Sequence, residues 1–144
     1  MKKNAKSKRL AAERAAVHYA YDVCGCVHHA AAIRTQWQRQ DIFAADVVGK
    51  RRDGSHVYLQ VTAGQAAAVT ARRRKLEAIS WHDSDAVYLL QLVQTEDPAC
   101  GKRTLWFFRV HAYVNFGHGA NERRWTTWEA ACPVPAEWFK ARKG

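Results

Sequence analysis

The sequence predicts an α/β domain with a central mixed β-sheet flanked by helices. Three observations carry that expectation. An alanine-rich stretch with helical spacing opens the chain ("LAAERAAVHYAYD"), a second helical stretch ("QAAAVTARRRKLEAISW") sits mid-chain, and runs of strand composition lie between and after them. Helix and strand signals that alternate along one chain are resolved by laying helices on a sheet. At 144 residues with 48% hydrophobic content there is enough apolar material for one core and little for two. The expected organisation is a basic flexible arm over residues 1–8 and one domain over 9–144.

Each element has its own justification. Leu10, Val17 and Tyr21 recur at spacings that fit one helix face, which predicts a helix from about Ser7 to Tyr21 that breaks at Gly25. "CGCVHHAAAIRTQW" reads as a turn into a first strand. "DIFAADVVG" and "HVYLQVTAG" flank "RRDGS", whose Asp-Gly pair supplies turn chemistry, so these three pieces form a hairpin. The helix around "AAAVTARRRKLE" follows. "AVYLLQLVQT" has the length of a buried strand, "EDPACGKR" reads as a loop, and "TLWFFRVHAYVNF" as another strand. "GHGANERR" is a loop, and "PVPAEWFKAR" a short helix with Pro135 near its first turn. The predicted order is α-β-β-β-α-β-β-α.

Charge narrows the function. With 23 Lys and Arg against 13 Asp and Glu, the formal net charge is +10, and the excess is clustered. Lys2, Lys3, Lys6, Lys8 and Arg9 crowd the start, and Arg72, Arg73, Arg74 and Lys75 form a second block. Two separated basic clusters point to a polyanionic partner, nucleic acid ahead of an anionic membrane surface. No segment approaches the roughly 18 apolar residues needed to span a bilayer, and the basic start is not followed by an apolar signal segment. A soluble, cytoplasmic protein is expected. The four cysteines lack the spacing of a disulfide scaffold and are expected to be reduced.

The hairpin carries the chemistry. Alternation along "HVYLQVTA" puts Val57, Leu59 and Val61 on one face and Tyr58, Gln60 and Thr62 on the other. Asp46 in "AADVV" lies on the preceding strand, where the turn can bring it to Gln60. Glu13 falls three residues after Leu10 and four before Val17, on the face expected to meet the core. Two carboxylates and an amide carbonyl are hard oxygen ligands suited to Mg²⁺ or Mn²⁺. Such an ion stabilises charge on a phosphoryl oxygen and activates water for phosphodiester hydrolysis. Asp41 competes with Asp46 for the ligand role.

A glutamate on the first helix, then "AADVV" and "YLQVTA" on consecutive strands, then a basic helix, resembles the PD-(D/E)xK nuclease superfamily, in particular its small archaeal and phage Holliday-junction resolvases. The resemblance covers roughly residues 8 to 80. It implies a restriction-endonuclease-like core and a metal-dependent DNA endonuclease specific for branched or junction DNA, acting as a homodimer. It also implies Asp46 as motif aspartate and metal ligand, Gln60 as the second ligand and Glu13 as the helix acid. Thr62 stands where the family has lysine. A basic residue of the next helix, Lys75, Arg72 or Arg73, is expected to supply the missing cation, unless the protein is a DNA-binding module that kept the fold and lost the activity. Lys6, Lys8, Arg9, Arg34, Trp37, Arg39, Arg72 and Arg73 are the candidate nucleic-acid contacts, with Trp37 between two arginines in "IRTQWQRQ" as a stacking platform. Cys24, Cys26, His28 and His29 are competent zinc ligands at the wrong spacing, and His82, His111 and His118 are read as scattered core or surface groups.

Overall fold

The computed structural model describes residues 5–31, 33–34, 39–40, 45–97, 99–117, 122–128 and 131–143. The elements are α1 (Ala5–Asp22), β1 (Cys26–Ala31), β2 (Ile33–Arg34), β3 (Arg39–Gln40), β4 (Val47–Arg51), β5 (His56–Thr62), α2 (Ala66–Glu77), β6 (Ala86–Asp97), β7 (Cys100–Asn115), β8 (Arg123–Thr127), β9 (Cys132–Pro133) and a 3-10 turn at Ala136–Phe139. One mixed sheet runs in the order β1-β4-β5-β6-β7-β8, with β9 also paired to β7; β2 and β3 form a separate two-stranded ladder. Neighbours are antiparallel throughout except β5 and β6, which are parallel. That exception follows from the connection: parallel neighbours need a crossover, and α2 is the crossover between β5 and β6. No described helix is long and apolar enough to cross a membrane.

The β4–β5 hairpin closes as the Asp-Gly pair predicts. Gly54 takes φ +90, where a side chain is strained, and its N–H bonds Arg51 O at 3.0 Å. Asp53 Oδ1 accepts from both the N–H and the hydroxyl of Ser55. The expected loop at "EDPACGKR" is shorter than its composition suggests, because β6 runs to Asp97 and β7 restarts at Cys100. The β8 strand "RRWTT" lies in a stretch whose charges read as loop; it is held to β7 from His111↔Thr127 to Asn115↔Arg123.

Helices cover opposite faces of the sheet. On one face α1 buries Ala12, Ala15, Ala16, Tyr19 and Ala20 against Val47, Val57, Leu59, Val61, Leu90, Phe108 and Val110. On the other, α2 buries Val69 and Leu76 with Tyr58, Trp81, Val87 and Leu89. The expected face of α1 is corrected here: Leu10 is 44% exposed, and Val17 and Tyr21 are only half-buried. Small residues, not large ones, are pressed to the sheet. Their methyl groups let the helix approach closely, and Tyr19 then fills the remaining volume edge-on to Phe108 and Tyr88. The chain end closes this side, with Trp138 stacked on His18 and the Lys140 carbonyl 3.0 Å from His18 Nε2.

Candidate functional site

Asp46 and Gln60 come together as the hairpin predicts. The β4–β5 register pairs Val47 with Leu59, so one step back sets Asp46 opposite Gln60. Asp46 leaves the ladder at that step. Its N–H bonds Leu59 O at 2.9 Å, and its Oδ2 accepts the Val61 N–H at 2.9 Å, so the carboxylate continues the strand pairing that its backbone abandons. Both side chains are 1% exposed. Thr62, also buried, accepts the Gly64 N–H on Oγ1 at 2.9 Å, which ties the hydroxyl to the turn leading into α2.

Glu13 is elsewhere. It is half-buried on α1, whose contacts are with Val57, Leu59 and Val61, whereas alternation turns Gln60 and Thr62 to the α2 face. The helix that carries Glu13 thus packs on the face of the sheet opposite to the one that Gln60 and Thr62 occupy. With Asp46 Oδ2 taken by the Val61 N–H and the Asp46 and Gln60 side chains both almost fully covered, the pair leaves little surface for an Mg²⁺ or Mn²⁺ that keeps several of its waters. Among the described residues no three His, Cys, Asp or Glu side chains are grouped to hold a metal. Asp41 and Trp37 lie outside the described residues. In "CGCVHH", burial pushes the Cys24 thiol up to about 12 and raises Cys26 as well, while His28 and His29 are exposed.

The basic helix is sorted by its periodicity. Arg72 and Arg73 fall three and four residues after Val69 and four and three before Leu76, so both lie on the sheet-facing side, and both are half-buried. Arg74 and Lys75 are exposed, which turns Lys75 away from the sheet. Arg73 is committed to β7 and β8. Its Nη2 lies 2.6 Å from His111 Nδ1 and 3.4 Å from Thr127 Oγ1, and its guanidinium sits 4.9 Å over the Trp125 ring. Consecutive helix positions diverge by about 100°, so Arg72 fans toward the other flank of α2. Of the remaining basic candidates, Lys8 and Arg9 are exposed on α1 and Lys6 belongs to its first turn, while Arg34 and Arg39 are register partners across the β2–β3 ladder.

A second cluster shares the α2 face with Gln60, and sequence reasoning missed it. Register places Gln60, Leu89, His111 and Thr127 in one row across four strands, and Thr62, Gln91 and Arg109 in the next. His111 is 6% exposed and Gln91 9%. A guanidinium can only donate, so His111 Nδ1 accepts from Arg73 and the ring proton sits on Nε2, donating to Gln91 Oε1 at 3.1 Å. The Gln91 amide in turn points to Gly64 O at 3.4 Å. Burial, then the charges of Arg73 and Arg109, push His111 down to about 4, in keeping with a neutral ring. These groups line a cleft of about 600 Å³ between the start of α2 and β6–β7. The one signal available in sequence was period two: Gln91 in "LLQLV" and His111 in "RVHAY" are polar residues inside apolar strands. No known protein family, curated protein or solved structure matches this chain.

Proposed function

We propose that this protein binds DNA through its phosphate backbone, on a nuclease-like arrangement that does not cut. One observation carries this: the position that the resemblance gives to a catalytic lysine is Thr62, and its hydroxyl is turned to the Gly64 N–H rather than to an open surface. Support for binding comes from charge. The chain carries a net +10, and Lys8, Arg9, Arg74 and Lys75 are exposed on two helices, so counterions released from DNA would drive association.

A second reading, Mg²⁺- or Mn²⁺-dependent cleavage of branched DNA by a homodimer, is favoured by a different observation. Asp46 stands directly before β4 and opposite Gln60 on β5, and Arg72 lies on the sheet-facing side of the helix that follows.

The test is gel-shift and cleavage of a labelled four-way junction and a matched linear duplex, in Mg²⁺, Mn²⁺ or EDTA, across a salt series. The expected result is binding in EDTA that weakens steeply with salt, intact strands in every metal, and roughly tenfold weaker binding when Lys8, Arg9, Arg74 and Lys75 are replaced by Gln. Salt-independent or absent binding rejects the proposal. Metal-dependent nicks abolished by Asp46→Ala replace it with the second reading.

A further inference from the structure

We infer that the cleft between the start of α2 and strands β6 and β7 is a binding site for the phosphate group of a nucleotide, with Arg109 as its direct ligand and Arg73 held beside it by His111. The lining contains two arginines and no acidic side chain among the described residues. Among the described residues neither arginine is neutralised. Arg73 meets an uncharged imidazole, a hydroxyl and an aromatic ring, and among the described residues it makes no ion pair. Arg109 is exposed, occupies the register position beside Gln91, and makes no hydrogen bond to the described residues. Two cations facing one cleft repel each other at a standing cost that an anion between them would remove.

The shape of the cluster suits a tetrahedral oxyanion. Gln91 and His111 are buried and spent on one another, so they form a rigid floor and not a set of competing donors. That floor fixes which face Arg73 presents. Arg73 is therefore a positioning cation whose field is always in place, and Arg109, on an exposed strand position, is the one free to fork onto phosphate oxygens. The opening turn of α2 borders the same cleft. Its first described backbone bonds are from Ala68 and Val69 to Gln65 O, and the Gln65 side chain does not cap the helix, so the Ala66 and Ala67 N–H groups face the same end. This end adds to a site that the arginines define.

The phosphate can come from a free nucleotide, a strand terminus or a strand interior, and only the last two rest on the DNA-binding reading. The experiment is titration at low salt and neutral pH with deoxyadenosine 5′-monophosphate and with deoxyadenosine, followed by calorimetry, for wild type, Arg109→Gln and an Arg52→Gln/Lys143→Gln control at exposed positions outside the cleft. Wild type is expected to bind the monophosphate roughly tenfold more tightly than the nucleoside, and Arg109→Gln to lose most of that difference, as for one charge-assisted hydrogen-bonding group. The control should match wild type. Equal binding of the two probes, or an Arg109→Gln protein indistinguishable from wild type, overturns the site. A gel shift of the linear duplex with the same proteins separates the sources. A parallel loss of DNA affinity assigns the phosphate to a strand, and an unchanged gel shift assigns it to a free nucleotide. Wild type that binds the monophosphate and no DNA keeps this site and sinks the nucleic-acid proposal.

Discussion

On one side of the sheet α1 lays four alanines and Tyr19 over Val57, Leu59, Leu90, Phe108 and Val110, and among the described residues no buried side chain on that face carries a charge. On the other side α2 lays Val69 and Leu76 over Tyr58, Val87 and Leu89, but sets two arginines between them and meets Gln60, Thr62, Gln91 and His111 from the strands. The same strands supply both faces, because successive residues alternate. The apolar face provides stability from burial alone. The polar face is stable only while each buried group has its partner, and it is where a fold of this size can place chemistry.

Breaking the apolar face should have the largest effect. Phe108 is fully buried beneath Tyr19, and Phe108→Ala should destabilise the domain by about 3–5 kcal/mol in urea unfolding. A loss under about 1 kcal/mol would show that α1 is not part of the cooperative core.

The polar face should reveal itself through pH. The folded pKa of His111 is depressed to about 4, below the ordinary value of 6.5, because burial and two guanidinium groups disfavour the imidazolium. The unfolded chain takes the proton first. Stability from this group is therefore complete above pH 6.5 and lost as pH falls from 6.5 to about 4, by on the order of 3 kcal/mol. Unfolding midpoints at pH 7, 5 and 4 for wild type and His111→Gln check this, since the carboxylates titrate in both and only the histidine differs. Parallel pH profiles would mean that the buried ring takes up its proton without penalty.

The smallest effect sharpens the comparison. Trp125 supports Arg73 from below, donates its Nε1–H to Glu77 at 2.8 Å and stacks on Tyr113. In a double-mutant cycle, Trp125→Leu and Arg73→Gln should couple by about 1 kcal/mol, the scale of a partly desolvated cation–π contact. Zero coupling would leave Arg73 held by His111 and Thr127 alone.

Much of the fold was legible because its signals are local. The Asp-Gly turn, the alternation of "HVYLQVT", the helix over "AAAVTARRRKLE" and the long apolar strands each depend on neighbours within a few residues. The phase of α1 was not legible, since leucine, valine and tyrosine outrank alanine on any hydrophobic scale, yet closeness of packing rewarded the alanines. The β8 strand was hidden by its arginines. Among the described residues its pairing comes from β7, and Arg123 spends its guanidinium on the carbonyls of Tyr113, His82 and Asp85.

The candidate sites divide the same way. Asp46 and Gln60 are joined by one short hairpin, so a turn and a period of two were enough to bring them opposite each other. Arg73 and His111 are 38 residues apart, on a crossover helix and a strand two ladders away, and no local pattern links them. By itself the sequence determined the α/β class, the hairpin, the basic helix and the clustered positive charge, because propensity, turn chemistry and charge are properties of short segments. Only the tertiary structure decided that α1 and α2 take opposite faces of the sheet, that Lys75 turns outward, and that Arg73, Gln91, Arg109 and His111 meet in one cleft, because these depend on strand register and on which face each helix covers.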